Sequence, residues 1–143
     1  MKRQLVPVVA AALGAALLLG GCSNATGIKA LDRTATAEDA LPDNFDAAPA
    51  KPDSSRLLTT HDGVRYFVAQ GNDAGTACVA AIAETASKGS VAGCGPFTSP
   101  TDVVSVTSQD RTETKLVRDG FESKKLESEG WTRIHDNLLV KTK

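Results

Sequence analysis

Arg56-Leu-Leu-Thr-Thr-His61, then Asp62-Gly63, then Val64-Arg-Tyr-Phe-Val-Ala69 is the stretch whose reading decides the fold. An Asp-Gly pair between two apolar-bearing runs favours a two-residue turn with positive φ, and this predicts a β-hairpin. In the second run Val64, Tyr66 and Val68 share one face, while Arg65, Phe67 and Ala69 share the other. Outward from this hairpin the signals stay β-like. Thr76 to Ala83 reads as a strand with Cys78, Ala80 and Ile82 on one face, its alanines leaving a helix as the lesser alternative. Val91 to Cys94 follows a Ser87-Lys-Gly-Ser90 turn, and Asp102 to Thr107 alternates with β-branched residues. Thr114 to Arg118 precedes a second Asp-Gly pair, Asp119-Gly120. Glu122 to Glu129 suits a short helix or an exposed loop closed by Gly130. Trp131 to His135 and Leu138 to Lys141 flank Asp136-Asn137, a third hairpin candidate. The expected fold class is mainly β: a small antiparallel domain over residues 56–143 with one short helix and one disulfide.

The whole chain has 143 residues, room for one ordinary domain. Its 41% hydrophobic content is unevenly spread, because 14 of those residues fall within 1–21. Residues 56–143 hold only 24 sizeable apolar side chains, a lean core for which a covalent staple is valuable. A net charge of −1 with both signs plentiful argues against a nucleic-acid partner. One Trp, one Tyr and four Phe are too few for an aromatic-lined pocket. Tyr66, Phe67 and Trp131 are expected in the core rather than in a ligand patch.

Residues 1–21 have the parts of a secretory signal: Lys2 and Arg3, an uncharged apolar run from Leu5 to Leu19, and small residues at its end. Fifteen apolar residues fall short of the roughly 20 that span a bilayer. Leu19-Gly20-Gly21-Cys22 resembles the lipobox of bacterial lipoproteins. The resemblance implies cleavage between Gly21 and Cys22 and attachment of diacylglycerol to the Cys22 thiol, with palmitate among the acyl chains. Two acyl chains give stable anchoring, so the expected location is the outer face of the cell membrane. Ser23 in place of Asp implies the outer membrane if the cell has two.

Residues 22–55 are rich in Ala, Asp, Thr, Ser and Pro, with isolated apolar residues, and read as a lipidated N-terminus followed by a flexible tether. A chain of that length would reach roughly 30 Å. From Thr34 onward an irregular N-terminal arm of the domain is an equal alternative. Thr36 and Asp39 have capping-box spacing, which predicts a helical turn near Ala37–Leu41, with Leu41 and Phe45 free to dock on the domain.

Cys78 and Cys94 are the cysteines that remain once Cys22 carries lipid. An exported protein matures where disulfides persist, and two thiols allow one intramolecular pairing. They also lack the Cys-x-x-Cys spacing of a redox pair. Gly93 and Gly95 are expected to serve tight turning around this bridge, since the phosphate-loop spacing is missing.

His61-Asp62 and His135-Asp136 are the candidates for acid–base chemistry. Neighbours on a strand point to opposite faces, so each histidine is expected at a hairpin end without its acid as partner. No G-x-S-x-G elbow and no metal-ligand spacing accompanies them. No catalytic residue, cofactor or metal is therefore assigned. A second resemblance, carried by Asp39-Ala-Leu-Pro42, Ser55-Arg56, Tyr66, Cys78, Gly93-Cys94, Asp119-Gly-Phe121 and Asn137-Leu-Leu-Val140, is to small uncharacterised actinobacterial lipoproteins and exported proteins. It implies a compact disulfide-closed β domain and no activity. The expected function is a lipid-anchored, non-catalytic binding module that meets an envelope protein or other envelope component. The alternative is a small extracytoplasmic hydrolase using His61 or His135.

Overall fold

The computed structural model describes residues 27–46 and 49–143. The expected signal segment, its cleavage site at Gly21 and Cys22, and the lipidation site Cys22 lie outside the described residues. Eight strands form two antiparallel sheets. The first is a meander of β1 (Arg56–His61), β2 (Val64–Gln70), β3 (Thr76–Ala83) and β4 (Val91–Pro96). The second has the order β5-β6-β8-β7, built from β5 (Asp102–Thr107), β6 (Thr112–Val117), β7 (Thr132–His135) and β8 (Leu138–Thr142). A short helix, α1 (Lys124–Ser128), lies between β6 and β7.

The deciding hairpin forms as expected. His61 pairs with Val64 across a turn whose two central residues, Asp62 (φ 49°) and Gly63 (φ 69°), are both left-handed. That conformation matches the natural twist of the two strands. Asp136-Asn137 likewise joins β7 to β8. Asp119-Gly120 makes no hairpin; it opens the crossover that carries the chain through α1 to β7 at the sheet edge.

The two sheets enclose the main core. Tyr66 and Val68 of β2 and Ala77, Val79 and Ala81 of β3 share it with Val106, Leu116, Leu138 and Val140 of the second sheet. The outward faces are covered as well. Phe67, Ala80 and Ile82 lie beneath Leu41 and Phe45 of the N-terminal segment, and Val117, Trp131 and Leu139 lie beneath Phe121 and Leu126. Two-sided burial explains why β2 and β3 carry apolar residues at nearly every position. It also separates Tyr66, Phe67 and Trp131 into three different clusters.

Cys78 and Cys94 face each other across β3 and β4 and are joined by a disulfide. In the chain-entropy account a loop of this length contributes about 3 kcal/mol.

The flanking glycines do a different job from the one the sequence suggests. Gly93 and Gly95 lie within β4 rather than in a turn. A Cβ on Gly95 would stand 1.9 Å from the carbonyl oxygen of Val103, and one on Gly93 would stand 2.6 Å from Cγ1 of Val106. Hydrogen in place of a side chain lets β4 cross β5 at close range, closing one side of the sandwich.

Packing begins well before residue 56. Ile28 is fully buried and Leu31 is 6% exposed, both within the main core. A 3₁₀ turn, Lys29–Asp32, rests on β1 and β2, and a second, Ala37–Asp39, rests on β1. The described part of the expected tether is thus an arm of the domain, as the alternative reading from Thr34 had it, and the arm starts earlier still. Its sparse apolar residues are individually placed on the sheets, a pattern that composition alone reads as unstructured.

Gly95→Ala should lower the unfolding free energy by about 2–3 kcal/mol, the usual cost of forcing atoms into a packed site. Urea denaturation of the oxidised protein measures this; an unchanged midpoint would contradict the close crossing.

Candidate functional site

The sandwich has two unlike ends. At the end where β6 and β2 finish and β8 begins, the arm supplies Ile28 and Leu31 as an apolar plug. The Asp119 amide donates to the Gly27 carbonyl at 2.7 Å, and the Lys29 amide donates to Asp119 Oδ2 at 2.8 Å. Asn137, 2% exposed, completes that end by donating to Asp119 Oδ1 at 2.9 Å and to the Val117 carbonyl at 3.1 Å.

The other end, where β1 finishes and β2 and β6 begin, is open. It holds a cleft of about 440 Å³ between the sheets. Hydroxyl groups dominate its wall, with Tyr66, Ser108, Thr112 and Thr114 reaching it from both sheets. The alternation of β6 places Thr112 and Thr114 in line with core residue Leu116, so the inward face turns from apolar to polar along one strand. Burial pushes the Tyr66 phenol up from its ordinary range, partly offset by its hydrogen bond with Thr114.

Asp110 is held at the cleft by Ser108 Oγ at 2.5 Å and by the Thr112 amide at 3.0 Å. The Ser108 hydroxyl, foremost, keeps the Asp110 carboxyl below its usual range, and Lys88 adds to this. Lys88 donates its ammonium to the Asp62 carbonyl across the mouth. Asp62 and Asp110 balance Lys88 and Lys141 in the lining. A wall of hydroxyls with balanced charges suits hydrogen bonding to a polar, uncharged or zwitterionic group rather than to a strong ion.

The histidines are placed apart from any nucleophile. His61 lies at the end of β1 on the cleft rim, and its Nε2 stands 3.3 Å from Asp62 Oδ2. This corrects the expectation that the two would point apart. Asp62 is not a strand residue but the first left-handed position of the turn, which lets its carboxylate fold back. Both side chains are exposed, 40% and 80%, so the pair is a screened surface contact of small energy. His135 ends β7, where its Nδ1 accepts the Asn137 amide at 3.1 Å, and burial pushes its pKa down. Among the described residues neither histidine hydrogen-bonds to a serine or threonine hydroxyl. The Ser108 hydroxyl is committed to Asp110 instead.

Among the described residues Asp39 is the most strongly perturbed group, and its sequence signal is the capping spacing alone. The residue is 2% exposed. Its Oδ1 accepts Arg33 Nη2 at 2.6 Å and the Leu57 amide at 2.7 Å. Its Oδ2 accepts Arg33 Nη1 at 2.6 Å, the Thr36 amide at 2.7 Å and the Thr36 hydroxyl at 3.1 Å. The Arg33 guanidinium, foremost, holds this carboxyl far below the usual carboxylate range, against the opposing effect of burial. Its lone pairs are spent on the arm and on β1, so the perturbation marks a structural latch rather than a catalytic acid. A depressed folded-state pKa gives stability that is fully present above the unfolded value near 3.9 and is lost as pH falls below it. Asp39→Ala should cost about 2 kcal/mol at neutral pH, less than a fully buried pair because Arg33 is 41% exposed. Urea titrations from pH 7 down to pH 2 should show the gap between native and variant narrowing below about pH 4. A gap independent of pH would contradict the latch.

No protein-family model, curated protein or solved structure matches this chain.

Proposed function

We propose that this protein is a lipid-anchored component of the cell envelope whose β-sandwich acts as a non-catalytic binding module outside the cytoplasmic membrane. The observation that carries the reading is Leu19-Gly20-Gly21-Cys22 at the end of an uncharged apolar run that starts with two cations. The small side chains suit a peptidase groove, and the Cys22 sulfur supplies the nucleophile for lipid attachment. Two acyl chains then hold the protein at the bilayer without a spanning segment. Among the described residues no helix is long and apolar enough to cross a membrane. The Cys78–Cys94 bridge fits a compartment in which disulfides persist.

Binding rather than turnover is supported by the cleft. It offers several hydroxyls and balanced charges, while each histidine is engaged with its own turn. The partner in this reading is an envelope component, with no part for nucleic acid. The anchor is tested by intact-mass measurement and fractionation of the native protein. The mature chain should begin at Cys22 with a diacylglyceryl adduct and sediment with membranes, and Cys22→Ala should leave an unprocessed, unlipidated precursor. A native chain with a free Cys22 thiol would overturn the proposal.

A further inference from the structure

Resting on the lipid-anchor reading, we infer that the sandwich is seated directly on the bilayer, with the Gly27–Lys29 and Arg118–Gly120 end facing the lipid and the polar cleft facing away. Chain length sets this orientation. Ile28 is fully buried in the core, and the Gly27 carbonyl is bound by the Asp119 amide. From Cys22 to Ile28 there are six residue steps, a maximum span of roughly 20 Å whatever their conformation. The expected 30 Å tether is thus replaced by a short leash.

That leash is attached at one pole. β6 runs from Thr112, which lines the cleft, to Val117, two residues before Asp119. The neighbouring β8 runs the opposite way, from Leu138 beside the Asn137 network to Thr142 at the cleft. The cleft turn at Asp110 and the anchored turn at Asp119 therefore lie at opposite ends of β6, whose six residues span roughly 17–20 Å. A domain of this size is about 35 Å across. Turning the cleft to the lipid would require the chain to pass half-way round the surface, on the order of 50 Å, more than twice what six residues can span.

The anchored pole is polar and carries both signs, with Asp32, Asp119 and Asp136 alongside its cations, so the seating rests on chain length. Lys29 and Arg118 are both exposed there, and neither side chain makes an ion pair among the described residues. The Arg118 guanidinium lies against Gly27, at the point where the leash enters the fold.

The test uses full-length protein, lipidated in cells and reconstituted in vesicles of phosphatidylethanolamine and phosphatidylglycerol. With Cys22 alkylated by lipid and Cys78–Cys94 oxidised, a single introduced cysteine is the one free thiol. Arg118→Cys and Gln109→Cys variants carry a fluorophore, and headgroup-labelled lipid accepts its energy. Transfer from position 118 should exceed that from position 109 by a factor of at least about two, given the separation along β6. Adding 20 Gly/Ser residues between Thr26 and Gly27 should erase the difference. Equal or reversed transfer in material whose mass shows the Cys22 adduct would overturn the seating while leaving the anchor intact. Absence of the adduct would overturn both.

Discussion

One carboxylate fastens the N-terminal arm to the sheets. Asp39 takes five hydrogen bonds, two from Arg33, two from Thr36 and one from the Leu57 amide of β1. Its own carbonyl accepts Ser55 Oγ at 2.6 Å, and Arg56 Nε reaches the Arg33 carbonyl at 2.9 Å. A buried charge is costly unless its lone pairs are filled, and here each partner that fills them belongs to the arm or to the strand beneath it. The constraint acts in both directions along the chain. Upstream it holds the turn that inserts Ile28 and Leu31 between the sheets. Downstream it brings Leu41 and Phe45 over Phe67. Without the arm, the first sheet would expose an apolar face, and the main core would be open at one end.

The hairpin and strand pattern was legible in residues 56–143 because its signals are local. Asp62-Gly63 demands left-handed backbone, and the runs on either side alternate. The disulfide was legible from the cysteine count and the compartment that the N-terminal segment leads one to expect. The arm was not, because what holds it is non-local. Its latch joins Asp39 to Leu57 across 18 positions, and its plug contributes only Ile28 and Leu31. Composition counts such residues as too few to order a segment, whereas two full burials and a saturated carboxylate suffice when the sheets are already present. The Thr36 and Asp39 spacing specifies a cap for one turn, which forms, whereas the reach of Asp39 to β1 has no sequence signal. Gly93 and Gly95 lie in β4 instead of a turn for a related reason. A glycine needed for a close strand crossing looks the same in sequence as one needed for a turn.

The candidate site was less legible than the fold. The histidines were found, but the cleft beside His61 is built from hydroxyls on strands of both sheets, and Thr112, Thr114 and Ser108 carry no motif. The period of β6 could have hinted at it, since the inward positions change from threonine to leucine along one strand. A sandwich plugged at one end and polar at the other has a direction, which the proposed lipid anchor at Cys22 would turn into an orientation at the membrane.

If the latch and the plug act together, residues 28–45 belong to the cooperative fold. Native-state amide hydrogen exchange tests it most directly. The amides of Leu31, Asp39 and Leu57 should exchange with protection close to that of β2 and β3, and they should lose it together with those strands as denaturant is added. Exchange of Leu31 and Asp39 at unprotected rates beside a fully protected β2 would show that the arm lies loose, and the account would fail.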